Sequence, residues 1–224
     1  MTHGPLIVTA ELANGYASAD PWSPGLDGIL AYWALREQLG EAEFALGMTG
    51  HRPLVEPDLP LDRDGDGARW WWVCSSPEAV GVAERFVRWE HRRFDLDAAT
   101  QHVEERVRSV LVGGGPYKNY RNRRVGVVCR ALTWRCVGEA SEIERLLRRC
   151  ETVGAGHTHG WGAVRRWRVE PGTAEDGERA RNDRPLPVQI AAARGVFGPQ
   201  WEWGIRPPGR APEHRALCVM PERG

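Results

Sequence analysis

The run Gly113-Gly114-Gly115-Pro116-Tyr117-Lys118-Asn119-Tyr120-Arg121-Asn122-Arg123-Arg124 interleaves cations with tyrosines. Cationic side chains hold phosphates and aromatic rings stack on unpaired bases. Tyr117, Lys118, Tyr120, Arg121, Arg123 and Arg124 are therefore candidate contacts to a single-stranded polyanion. A solvated hairpin tip has a similar composition. A second candidate is the loop from Gly154 to Gly162, in which Gly154, Gly156, Gly160 and Gly162 let the backbone approach a phosphate closely and present N–H groups to it. His157, His159, Trp161, Arg165 and Arg166 surround that loop with donors and one stacking ring. A tight turn that only packs a helix on a strand is the plainer alternative. Two basic, glycine-rich loops flanking one predicted strand pair converge in space, and that convergence favours RNA.

Three further patterns are weaker. Asp62-Arg63-Asp64-Gly65-Asp66-Gly67 matches the first half of a calcium-binding EF-hand loop, but the twelfth position, which needs a bidentate Glu, is Val73. A solvated Asp-Gly turn fits better. His157-x-His159 has no third ligand in reach, so no metal or other cofactor is expected. His159-Gly160-Trp161-Gly162-Ala163-Val164 resembles the opening of an RNP1 motif, yet Ala163 and Arg166 stand where that motif has stacking aromatics.

The elements that must position these loops follow from periodicity. Pro5 to Ala13 alternates as a half-buried strand, and Leu26, Ile29, Leu30 and Trp33 recur at helical spacing up to Gly40, a helix C′ residue. Residues 50 to 68 read as loop and Arg69 to Cys74 as a strand. Trp70, Trp71 and Trp72 must then alternate between its faces. Ser76-Pro77 supplies a cap signal, and Val82, Phe86 and Trp89 at i, i+4 and i+7 predict a second helix over 77 to 93. Trp33 and Trp89 are assigned to apolar helix faces and most of the eleven tryptophans to core or interface. Val107 to Val112 fits a strand better than the end of a helix, because Gly113-Gly114-Gly115-Pro116 stops it abruptly. Val125 to Val137 is a long β-type run, Ser141 to Cys150 a helix and Ala163 to Val169 a strand. A polar connector over 171 to 185 leads into a Pro-rich tail with a last strand at 215 to 220. The order matches a β-α-β-β-α-β ferredoxin-like unit in an α+β fold.

Composition sets the frame. The chain has 224 residues, 42% of them apolar and 27% charged, enough to bury a core without staples. Its five cysteines form no C-x-x-C pair, which points away from a disulfide framework or zinc ribbon and toward a reducing compartment. Met-Thr-His-Gly-Pro does not open a signal sequence and no long apolar run follows, so a cytoplasmic location without membrane contact is expected. The formal charge of zero is a sum of opposites: residues 1 to 60 carry net −6 and residues 113 to 168 net +8. Such asymmetry suggests one face for phosphate and another for solvent or a protein neighbour. Of thirty basic residues only Lys118 is lysine, and arginine both forks onto phosphate and stacks on bases. GC-rich coding gives the same bias.

Three segments together carry a family resemblance. They are the Leu26-Asp-Gly-Ile-Leu-Ala-Tyr32 helix start, the Gly-Gly-Pro-Tyr-Lys-Asn-Tyr120 segment, and the Ile143-Glu-Arg-Leu-Leu147 helix with the glycine-rich loop and Trp167 strand behind it. In this order they resemble the RAMP superfamily, and more narrowly the Cas-five-like subunit of type IV CRISPR effector complexes, a ribonucleoprotein of antiviral defense. The resemblance covers roughly residues 5 to 170. It implies a ferredoxin-like domain over 1–170 with an inserted helical or hairpin thumb at about 75–124, and a connector and C-terminal extension over 171–224. It also implies a noncatalytic subunit that grips the 5′ repeat-derived handle of the guide RNA and caps a filament of backbone RAMP subunits, next to a large subunit. Carried over by position, Gly154, Gly156, Gly160 and Gly162 are the glycine-rich loop, and Tyr117, Lys118, Tyr120 and Arg121 lie on the handle-facing segment. The family's loop is often more basic than Ala155 to Thr158. The alternative is a metal-independent guide-RNA processing endoribonuclease in which His157 or His159 activates a 2′-OH, with Tyr117 or Lys118 at the scissile phosphate. For a small-molecule enzyme the sequence offers no nucleophile–base–carboxylate set.

Overall fold

Alternation along the first strand decides the architecture. In the computed structural model, which describes residues 3–47, 55–67, 69–95, 111–114 and 118–222, β1 (His3–Leu12) buries Leu6, Val8, Ala10 and Leu12 on one face. It lies between β8 (Ala131–Glu139) and β9 (Val164–Pro171), antiparallel to both, and β5 (Glu78–Val80) adds to the far side of β8. The sheet order is β5-β8-β1-β9. Helices α1 (Leu26–Leu39) and α3 (Ala140–Leu147) cover the apolar face through Leu26, Leu30, Ile143, Leu146 and Leu147. Exposed pairs also join these helices, Glu37 accepting from Arg145 and Arg149. Such pairs contribute at most about 1 kcal/mol each. Burial of one Leu or Ile contributes about 2 kcal/mol, so the apolar contact governs. Trp134 is fully buried beneath α1 and donates from Nε1 to Pro24 O at 2.9 Å.

Three other strand groups surround this sheet. The short β2 (Tyr16–Ser18) pairs with β7 (Tyr120–Val128), which pairs in turn with β6 (Glu84–Arg92). β3 (Arg63–Asp66) and β4 (Arg69–Trp72) form a hairpin. Helix α2 (Glu41–Gly47) follows α1, and α4 (Ala174–Asn182) lies against the opposite face of the main sheet, its Gly177 near Pro5 and its Ala180 with Val73 and Val137. The C-terminal part folds as β10 (Leu186–Pro187), α5 (Val188–Ala193), β11 (Gln200–Gly204) and β12 (Arg215–Val219), with sheet order β10-β12-β11 and its own apolar cluster around Trp71, Ile205 and Met220. Among the described residues no helix is long and apolar enough to cross a membrane.

The α+β expectation holds, and four local readings change. The second helix over 77 to 93 is instead β5 and β6, because β7 offers nine consecutive pairing partners and the side chains of 84 to 92 alternate between two faces. Val125 to Val137 is two strands in different sheets, broken at Cys129-Arg130, where Arg130 N donates to Val80 O and Arg130 O accepts from Leu12 N. The 171–185 connector contains α4, started by a capping box between Thr173 and Asp176. The loop read over 50 to 68 gives way to strand β3 at Arg63–Asp66, and two of the three carboxylates of Asp62 to Gly67 are already used, Asp62 by His3 and Asp64 by Arg194. The predicted strand at 107 to 112 lies mostly outside the described residues.

The tryptophan run behaves as alternation requires. Trp72 enters the main core, with Trp70 packed against that core's edge, and Trp71 enters the C-terminal cluster. Buried Arg184 joins the two bodies by donating to the Trp72 and Cys74 carbonyls and to Ile205 O. Its neighbour Asp27 is also buried, and desolvation pushes that carboxyl above its ordinary range although Arg184, 3.9 Å away, opposes the shift. A carboxyl raised in this way supports the fold at acid pH and loses that support as pH rises through its folded value. Asp27→Asn should therefore gain in urea midpoint relative to the parent chain between acid and neutral pH. A parent chain that gains instead would show that Arg184 dominates Asp27.

Candidate nucleic-acid interface

The two candidate loops are joined through β2. The backbone leaves β1 at Leu12, and β2 then presents all three of its residues to the interior. On one side Tyr16, Ala17 and Ser18 pair with Val127, Gly126 and Val125. On the other, Ala17 bridges to Ala155 in the glycine loop, whose N–H donates to Ala17 O at 2.7 Å. A ring contact closes the junction. Phe86 on β6 lies over Gly126, where any Cβ would come within 2.4 Å of its ring, and meets Trp161 with ring centroids 5.4 Å apart.

The loop's shape depends on left-handed glycines. At Gly162, φ is +73° and a Cβ would stand 1.8 Å from Val153 O, so only glycine fits. Gly156 and Gly160, also left-handed, flank a 3-10 turn at His157–His159 that exposes both imidazoles. The N–H groups of Ala155, His159, Gly160, Trp161 and Gly162 donate within the protein. Those of Gly156, His157 and Thr158 find no acceptor among the described residues. Trp161 is half-buried by its contact with Phe86, which leaves part of its surface toward solvent.

The structure brings the loop against the base of the β6–β7 hairpin, not its tip. Tyr120 lies six residues beyond Gly126, about 20 Å along the strand. Lys118, Tyr120, Arg121 and Arg123 are exposed along that projection, whereas Arg124 is held by Glu90 at 3.1 Å. Lys118, Arg121, Arg123 and Arg165 form no ion pair among the described residues. Arg165 stands at the bulge where β9 leaves register with β1 and is exposed, next to Arg166. Tyr117 lies outside the described residues.

Reading the sequence alone misses β6. Its Arg85, Arg88 and Arg92, with Arg93 just beyond, add to Lys118, Arg121, Arg123 and Arg124, against Glu84, Glu90 and Asp95. Trp89, assigned to an apolar helix face, is instead 47% exposed with the Arg121 guanidinium 4.5 Å above its ring. Cation–π contact of this kind holds a ring flat and open on its other side. The signal was available as the alternation of Val87, Trp89 and His91 with Arg88, Glu90 and Arg92. By contrast, the side of the main sheet away from α1 and α3 neutralises itself through pairs such as Arg168 with Glu11 and Arg135 with Glu78.

These contacts separate two kinds of glycine. Gly162→Ala should cost at least about 2 kcal/mol in urea unfolding, through backbone strain and collision with Val153 O. Gly160→Ala meets nothing nearer than Asn14 Nδ2 at 4.0 Å, and should cost only about 1 kcal/mol for its left-handed backbone. Equal costs would mean that close approach at Val153 does not hold the loop.

A family profile described as CRISPR type IV associated protein Csf3 matches residues 4–221. No curated protein matches the chain.

Proposed function

The chain belongs to the type IV CRISPR-associated Csf3 family of Cas-five-like RAMP subunits, and from that premise we propose that it is the noncatalytic subunit that binds guide RNA in the type IV effector complex. The observation that carries the reading is the cationic β6–β7 hairpin, with Trp89 and Tyr120 exposed on it, joined at its base to the glycine loop. The element order β1, α1, β5, β8, α3, β9 and the sheet order β5-β8-β1-β9 support a ferredoxin-like core. The hairpin leaves that core between β5 and β8, as an inserted thumb would.

On this reading Lys118, Arg121 and Arg123 hold phosphates along the hairpin, and Arg165 extends the cationic path beyond the loop. The free N–H groups of Gly156, His157 and Thr158 take one more phosphate oxygen. Trp89, Tyr120 and the open part of Trp161 stack unpaired bases, and contacts to the 2′-OH distinguish RNA from DNA. The 5′ repeat-derived handle is the proposed ligand, and the protein caps the filament of backbone subunits beside the large subunit. The acidic N-terminal third is the proposed protein-facing side.

Binding of single-stranded repeat RNA, followed by fluorescence anisotropy in chelator across a salt series, tests this. Affinity should fall steeply with salt, and each of Lys118→Ala, Arg121→Ala and Arg123→Ala should lower the log–log slope by about 0.7. The RNA should stay intact. Salt-insensitive binding would overturn the phosphate contacts. Defined fragments that vanish with His157→Ala or His159→Ala would replace this reading with the endoribonuclease.

A further inference from the structure

A cleft of about 760 Å³ lies between α1 and the C-terminal sheet, away from the hairpin. Its volume is that of a small-molecule site. The walls carry rings from both bodies, Tyr32 and Phe44 from the helical side and Trp203 from β11. Buried Asp27 and Arg184 line its interior and exposed Arg210 and Arg215 its rim.

The interior polar groups are not all used by the protein. Arg184 spends Nη1 and Nη2 on backbone carbonyls, but its buried Nε has no partner. Asp27 Oδ1 accepts from Gly28 N at 2.8 Å, while Oδ2 stands 3.9 Å from Arg184 Nη2, beyond hydrogen-bond reach. Arg184 Nε is shielded from the cleft, whereas the spare acceptor on Asp27 stands in a ring-walled space, which suits an occupant that donates a hydrogen bond from its edge. A nucleobase has such an edge and a face for the rings. At the rim Arg215 is shared with Glu202, and Arg210 makes no ion pair among the described residues, which leaves a cation for phosphate.

Position links the cleft to the loop. Gly25, Gly28 and Tyr32 line both this cleft and a groove of about 550 Å³ that reaches Gly154 and His157. A strand lying on the glycine loop thus has a continuous path along the first turns of α1. We propose that the cleft between α1 and the C-terminal sheet holds one unpaired nucleotide, its base edge on Asp27 and its phosphate on Arg210. This rests on the guide-RNA reading only for the source of the nucleotide.

Two titrations of the full chain test the proposal. In the first, the four nucleoside 5′-monophosphates are added while tryptophan fluorescence is read, since Trp22 and Trp203 line the cleft. At least one should bind saturably, Arg210→Glu should weaken it at least fivefold, and Asp27→Asn should change the order of preference among the four. Arg210 is exposed, so its variant should keep the parent's urea midpoint. In the second, an RNA series with one abasic site at each position in turn should show a single position where affinity drops at least fivefold, and Arg210→Glu should remove that drop. No monophosphate binding together with a flat abasic series would overturn the pocket and leave RNA binding on the hairpin intact. Monophosphate binding without any RNA binding would keep the pocket, as a site for free nucleotide, and overturn the guide-RNA reading.

Discussion

Three buried residues, Tyr16, Ala17 and Ser18, hold the molecule's two exposed loops in one frame. Their strand is hydrogen-bonded on both edges, to β7 and to the glycine loop, so neither loop can shift without breaking ladder bonds in the interior. The constraint begins in β1. Because β1 is the inner strand between β8 and β9, its exit at Leu12 is fixed on both sides, by Arg130 O on one and Ala163 O next to Ala13 on the other. The turn into β2 then has one course. Gly15 passes so close to Val127 O that a Cβ there would stand 2.1 Å from it, which sets the approach of β2 to the hairpin.

A second junction ties the C-terminal sheet to this frame, and its chemistry differs. Here the bond is a buried guanidinium, Arg184, whose donors reach carbonyls on β4, just after β4 and just after β11. Its carboxylate neighbour does not neutralise it by close pairing, since Asp27 is desolvated and 3.9 Å away. The junction therefore holds through backbone acceptors, and it leaves polar capacity unspent in the cleft it borders. The zero net charge of the chain conceals this division of labour: cations collect on the β6–β7 hairpin and the β9 edge, while many acids elsewhere are used inside ion pairs.

Much of the core is legible in the sequence because single patterns dominate there. The alternation of Leu6, Val8, Ala10 and Leu12, the helical spacing up to Gly40 and the amphipathic Ile143-Leu146-Leu147 stripe each have one structural solution. Residues 77 to 93 do not. Val82, Phe86 and Trp89 fit a helix, yet the same stretch alternates as a strand, and the choice is made by β7, which is distant in the sequence. The break at Cys129-Arg130 is likewise tertiary, set by carbonyls on Val80 and a donor on Leu12. The glycine loop is recognisable from its composition. Its junction with the hairpin depends on Phe86 reaching Trp161 across Gly126, and no local periodicity encodes that contact. Trp89 follows the same choice, since a helix would bury it and the strand exposes it.

On the proposed function, one RNA strand lies across the hairpin and the glycine loop together. Photocrosslinking with a single 4-thiouridine oligonucleotide, walked along its length and mapped by mass spectrometry, addresses it directly. Crosslinks are expected on Trp89 or Tyr120 from one stretch of the oligonucleotide and on Trp161 or His157 from an adjoining stretch. Crosslinks confined to α4 and the sheet face bearing Arg135 and Arg168, with none on the hairpin, would contradict it.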